Sequence, residues 1–173
     1  LSDATHTAMT FSIISGVLVG ALGFIITPYA LGFMGIRDEI LAQSALYMRI
    51  IMCGLPASAV YNFGAAIIRS TGDSKTPFLI LAASGALNVL LNLMFVVGFG
   101  MTVDGVALAT IISQYASAVA IFAVLMLKKS ESYAVFLRKL KMNPEFLKRM
   151  MLIGVPSGLQ GSIFSIANVC VMS

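Results

Sequence analysis

The chain has 173 residues, of which 59% are apolar and only 10% charged, with a net charge of +4 and a mean hydropathy of +0.98. An ordinary globular domain has roughly a quarter of its residues charged, so this composition argues against a water-soluble domain. The bases gather mostly in one segment and do not spread over a face that would hold nucleic acid.

Charges are missing from Ala4 to Ile36, Ile50 to Ile68, Thr76 to Val103, Gly105 to Leu127 and Met150 to Ser173. A helix needs about 20 apolar residues to cross a bilayer, whereas apolar strands run only about 4–8 residues. The pattern therefore predicts an all-α, multi-span bundle with membrane helices over 10–33, 44–66, 78–99, 105–127 and 150–172. The start LSDATH has one acid and no base, unlike a signal peptide. The chain begins at Leu1 and stops at Ser173 inside an apolar run, so it reads as an internal piece of a longer protein.

In the first span Pro28 marks a bend or the end of the helix. Leu41, Ala45, Met48 and Met52 then recur at helical spacing, as in a helix entering the membrane at a slant. Arg49 is the one ionisable side chain clearly inside a span, and either snorkels or pairs structurally, or contacts a substrate or ion. Pro56, in GLP, frees a carbonyl and permits a kink; Pro156, in GVP, does the same in the last span.

Next comes RSTGDSKTP, a polar hairpin between two apolar runs. Gly72 gives backbone freedom for the reversal. Asp73 or Ser74 can cap the following helix, with Pro77 near its first turn. Asp73 can also pair with Arg69 or Lys75, and the role expected for the segment is conformational. In the final connection, NPEF is a helix start: Asn143 as cap, Pro144 in the first turn, and Glu145 at the positive helix end.

Seven uncharged polar residues fall at membrane depth: Asn62, Asn88, Asn92, Gln114, Tyr115, Gln160 and Asn168. An amide facing lipid is costly, so these should face other helices or a watery cavity. Interhelical packing and the lining of a transport cavity both fit them. Packing alone explains the small residues at 64–66 and 82–86, and Ala107, Ala109 and Ser113. No Asp or Glu lies deep in a span, so a coupling-ion site would lie mostly outside this chain.

Enzyme signatures are missing. GDSK lacks the spacing of GxxxxGK[ST], and there is no HExxH or nucleophile elbow. His6 is the single histidine and belongs to no such signature, and Cys53 and Cys170 read as small buried hydrophobes. The expectation is a non-enzyme without cofactor or metal.

Bases set the orientation. Arg69 and Lys75 mark one connection, and Lys128, Lys129, Arg138, Lys139, Lys141, Lys148 and Arg149 mark another. Arg37 is the only base in the remaining two. Residues 69–76 and 128–149 are thus expected in the cytoplasm, and 37–39 and 99–104 outside.

Taken in order, LGFMGIRDEILAQSALYMRI, GLP, RSTGDSKTP, NVLLNLMFVVGFGMTVDGVALATIISQY and IGVPSGLQ resemble the multidrug and toxic compound extrusion (MATE) family. RSTGDSKTP is similar to the family's R-G-x-G-D-x-x-x-P loop, with Ser70 in place of the first glycine. The resemblance implies part of a 12-helix, two-lobe transporter. Residues 1–127 would be the last four helices of the amino-terminal lobe, 128–149 the inter-lobe loop, and 150–173 the first helix of the second lobe. Some members carry an acid in this last helix; here GVPSGLQGSIFSIANVC has none.

The function implied is a plasma-membrane antiporter, monomeric, that exports organic and often cationic compounds in exchange for H⁺ or Na⁺. Its partners would be the bilayer and small organic substrates. The alternatives are a lipid-linked oligosaccharide flippase of related fold and a non-transporting membrane assembly subunit.

Overall fold

The computed structural model describes residues 2–33, 38–127 and 143–172. Arg37 and the bases from Lys128 to Lys141 lie outside the described residues, as do the side chains of Asp38, Glu39 and Asn168. Five helices follow one another: α1 (Ser2–Phe33), α2 (Asp38–Ser70), α3 (Lys75–Asn92), α4 (Val103–Leu127) and α5 (Pro144–Met172). A π-helical turn, Leu93–Gly98, extends α3. Among the described residues, four helices are long and apolar enough to cross a membrane: those over Asp3–Phe33, Ile40–Ser70, Lys75–Gly98 and Val103–Leu127.

The helices outrun the spans expected from charge. α1 starts at Ser2, and α2 begins at Asp38 and runs to Ser70. Charge-free windows mark apolar surface, whereas a helix ends where its backbone hydrogen bonds end. Pro28 does not end the first span, because α1 continues to Phe33. The bond Pro28 cannot make is only one in a long helix whose other bonds are internal.

α2 is the centre of the bundle, with α1 on one side and α4 on the other; α3 leans mainly on α4, and α5 touches α1. The α1–α2 seam is a close backbone approach. A Cβ at Gly16 would come 2.7 Å from Pro56 Cα, and one at Gly20 would come 2.8 Å from Met52 O. In a membrane, where helices gain little by hiding apolar surface from lipid, such small-residue contacts supply the packing. Pro56 has no N–H to offer the Met52 carbonyl four residues back, and that carbonyl faces Gly20.

The apolar core lies toward the hairpin end, where Met9 of α1, Tyr61, Ala65 and Ile68 of α2, and Ile121 and Leu125 of α4 are buried together. Elsewhere the helices show apolar surface: Val17, Ile25, Leu90 and Val119 are all more than half exposed. That is the pattern for helices whose outer face meets lipid.

The hairpin is built from its own residues. Ser70 ends α2, and the amides of Thr71 and Gly72 donate to Ile68 O and Arg69 O. Gly72 takes φ +90°, a region L side chains rarely adopt. Asp73 accepts from Thr76 N at 3.0 Å and from Thr76 Oγ1 at 2.7 Å, capping α3. Ser74 makes no side-chain cap bond. Pro77 is buried, and its carbonyl accepts from Tyr61 Oη at 2.8 Å, pinning the start of α3 to α2. Arg69 is exposed.

At the start of α5 the expected cap is present: Asn143 Oδ1 accepts from Glu145 N at 3.0 Å. The Asn143 backbone N–H also donates to Thr7 Oγ1, tying α5 to α1. Pro156 lies within α5 and is exposed. The Glu145–Arg149 pair is largely solvent-exposed, so it adds little stability.

Candidate polar cleft within the bundle

Between α2, α3 and α4 lies a cleft of about 460 Å³. Each helix gives it a polar face at helical spacing: Ser58, Tyr61 and Asn62 from α2, Ser84 and Asn88 from α3, and Thr110, Ser113, Gln114 and Ser117 from α4. Residues three and four apart share one side of a helix, so the sequence places these groups together once the helices pair.

The amides form a short chain across the cleft. Asn88 Nδ2 donates to Ser113 Oγ at 3.3 Å, bridging α3 and α4. Asn92 Nδ2 donates to Asn88 O at 2.9 Å and to Asn88 Oδ1 at 3.1 Å. Asn62 Nδ2 donates to Ser58 Oγ at 3.4 Å. The hydroxyls of Thr110, Ser113 and Ser117 turn back to the carbonyls of Val106, Thr110 and Gln114.

Two acceptors are left over. Asn92 Oδ1 and Gln114 Oε1 are buried with no hydrogen-bond partner among the described residues. The Asn92 amide is oriented by its two bonds to Asn88, which commits its nitrogen and leaves the oxygen free. An unsatisfied buried amide oxygen costs about 1–3 kcal/mol. Gln114 has room only because residue 54 is a glycine: a Cβ there would overlap its amide.

Of the seven expected cavity residues, the structure brings Asn62, Asn88 and Gln114 to the cleft, with Asn92 attached through Asn88. Tyr115 is elsewhere, half-exposed, its hydroxyl donating to Cys53 O on α2 at 3.0 Å. Gln160 is exposed on α5 and does not reach the cleft. Sequence reasoning misses the serines and threonines. Ser58–Asn62 and Ser84–Asn88, each four apart, and Thr110–Ser113–Ser117 carry the signal. Ser113 reads from the sequence only as part of a small-residue stripe.

Arg49 is not in the cleft. Its guanidinium carbon is 5.3 Å from the Phe24 ring centroid of α1, a cation–π contact, and its Nε is buried without a hydrogen-bond partner among the described residues. Among the described residues no group of three or more His, Cys, Asp or Glu is placed to hold a metal ion.

The comparisons with known proteins agree with this architecture. The chain is 33% identical to "Probable multidrug resistance protein YoeA" of Bacillus subtilis, over 100% of this chain and 39% of that protein. It is 27% identical to "Multidrug export protein MepA" of Staphylococcus aureus, over 92% of this chain and 36% of that one. The chain thus spans well under half the length of these relatives. A solved outward-facing MATE-family multidrug resistance transporter superposes with a TM-score of 0.86 at 26% identity, covering 96% of this chain and 37% of that one. A MATE structure in a bent conformation shares the fold, with a TM-score of 0.85 over 97% of this chain at 24% identity. The MatE family model matches residues 1–94, more than half of the chain. The chain is a multi-pass membrane protein that belongs to the MatE family.

Proposed function

We propose that the chain is part of a secondary antiporter that exports organic, often cationic, compounds, and that the α2–α3–α4 cleft is part of its substrate path. The observation that carries this is a cleft at membrane depth lined on three helices by uncharged polar side chains, among them Asn62, Asn88 and Gln114. A wall of hydroxyls and amides without charge suits a ligand with N–H groups or positive charge. The names of the relatives, one a multidrug export protein, support the same reading.

The cleft's lining has no Asp, Glu, Lys or Arg. The described acids are at helix ends, as at Asp3, Asp73 and Asp104. This favours a coupling site for H⁺ or Na⁺ mostly beyond this chain. It also counts against an anionic lipid-linked sugar in the cleft, which would call for bases there. Residues 1–127 are assigned to the last four helices of an amino-terminal lobe, 128–149 to the inter-lobe loop and 150–173 to the first helix of the second lobe. The RSTGDSKTP hairpin is assigned to the cytoplasm, in a monomer of the plasma membrane.

The test is transport. The full-length protein is placed in vesicles under an imposed H⁺ or Na⁺ gradient, and ethidium movement is followed. Gradient-driven movement that collapses with an ionophore is expected. Asn88→Leu, which removes an amide from the cleft wall, should slow it about tenfold, the equivalent of about 1.4 kcal/mol. Equal transport by wild type and Asn88→Leu would remove the cleft from the substrate path, and no gradient-driven movement of ethidium or other organic cations would overturn the antiporter reading.

A further inference from the structure

On α2, Arg49 and Arg69 stand about 30 Å apart along the axis, at about 1.5 Å rise per residue. That matches the thickness of a bilayer's hydrocarbon core, about 30 Å. With Arg69 at the hairpin end, Arg49 is level with the opposite edge of the hydrocarbon. By the charge distribution this is the outer leaflet.

A groove of about 460 Å³ runs along the α1–α2 seam there, lined by Val17, Gly20 and Phe24 of α1 and Met52, Cys53 and Pro56 of α2. Its lining is almost wholly apolar. Phe24 belongs to both features: it lines the groove and lies under the Arg49 guanidinium. From the level of Phe24 to that of Val17 the groove extends about 10 Å toward the bilayer centre. A cation at the interface thus stands directly above an apolar slot that points into the membrane.

The Arg49 Nε is buried and has no acceptor among the described residues. The cation–π contact occupies the face of the guanidinium, so an oxyanion would meet this half-buried side chain at its edge. We propose that Arg49 and this groove form a site for one anionic phospholipid, its phosphate on the guanidinium and the upper part of an acyl chain in the slot. The charge selects an anionic headgroup and the slot selects a lipid over a soluble phosphate. The site is separate from the α2–α3–α4 cleft and stands whether or not that cleft carries substrate.

The test uses the purified full-length protein and native mass spectrometry, with phosphatidylglycerol and phosphatidylcholine of identical chains. Wild type should retain one lipid equivalent with about fivefold preference for phosphatidylglycerol, the value of about one basic contact. Arg49→Gln should lose the preference for that equivalent, and Arg49→Lys should keep most of it. Ala21 also lines the groove, and Ala21→Phe, which fills it and leaves Arg49 in place, should lower occupancy by both lipids. Excess glycerol 3-phosphate should not displace the lipid. No preference in wild type, undiminished preference in Arg49→Gln, or full displacement by glycerol 3-phosphate would each overturn the proposal. So would a wild type that binds no lipid here because another helix of the protein covers the groove.

Discussion

Asp73 offers the sharpest test of how the hairpin works. Two roles compete: a cap on α3, or an ion pair with Arg69 or Lys75. The structure gives its carboxylate a capping bond from the Thr76 backbone N–H at 3.0 Å and a second bond from the Thr76 hydroxyl at 2.7 Å. Removing a cap costs about 1 kcal/mol, whereas an exposed ion pair contributes about 0–1 kcal/mol and depends on salt. Asp73→Ala should therefore loosen the first turn of α3 by about 1 kcal/mol. In hydrogen exchange this appears as about fivefold faster exchange at the amides of Thr76 and Phe78. Asp73→Asn keeps an acceptor and loses the charge. Since Asn and Asp cap about equally well, its exchange should stay near wild type at any ionic strength. If Asp73→Asn behaves like Asp73→Ala, and the difference from wild type fades in high salt, the charge and not the cap holds the turn, and the capping account is refuted.

Other outcomes follow from the packing. Gly20→Leu should separate α1 from α2 and cost about 1–3 kcal/mol, seen as a lower melting temperature of the full-length protein; Gly32→Leu, with nothing within 4 Å of a Cβ there, should be neutral. Gly54→Ala should lower stability by pushing on the Gln114 amide, and adding Gln114→Ala should recover most of the loss in a double-mutant cycle. Tyr115→Phe removes one bond between α4 and α2, worth about 0.6 kcal/mol in a membrane; a drop in melting temperature beyond about 4 °C would mean that Tyr115 does more than join two helices.

Much of the fold was readable because membrane helices write themselves in charge. The gap from Thr76 to Val103 became α3 and its π-helical extension, and the gap from Gly105 to Leu127 became α4. The hairpin was readable for a different reason: Gly72 and Asp73 have local requirements, a positive φ and a cap, that need no tertiary partner. The cleft was only half readable. Asn88 and Asn92 stand out because an amide in an apolar run is costly wherever it faces. A serine or threonine can satisfy its hydroxyl on its own helix, as Thr110 and Ser113 do, so its presence gives no hint of direction. Tyr115 and Gln114 are adjacent in sequence and about 100° apart around α4, and only the position of α2 decides which of them enters the cleft. The meeting of Arg49 with Phe24 depends on the register of α1 against α2, which the close approach at Gly16 and Gly20 sets.

That close approach has a mechanical consequence. Where two helices touch backbone to backbone, no layer of side chains is left to slide or repack, so α1 and α2 form a single plank. α3 is attached very differently. Pro77 is its only buried residue, and that end is fastened by Tyr61 and the Asp73 cap. Its far end runs into the π-helical turn beyond Asn92. α3 is thus held at its hairpin foot and along its side by α4, with the cleft between it and α2. Any parting of α3 from α4 would first have to release the Asn88–Ser113 bond at 3.3 Å.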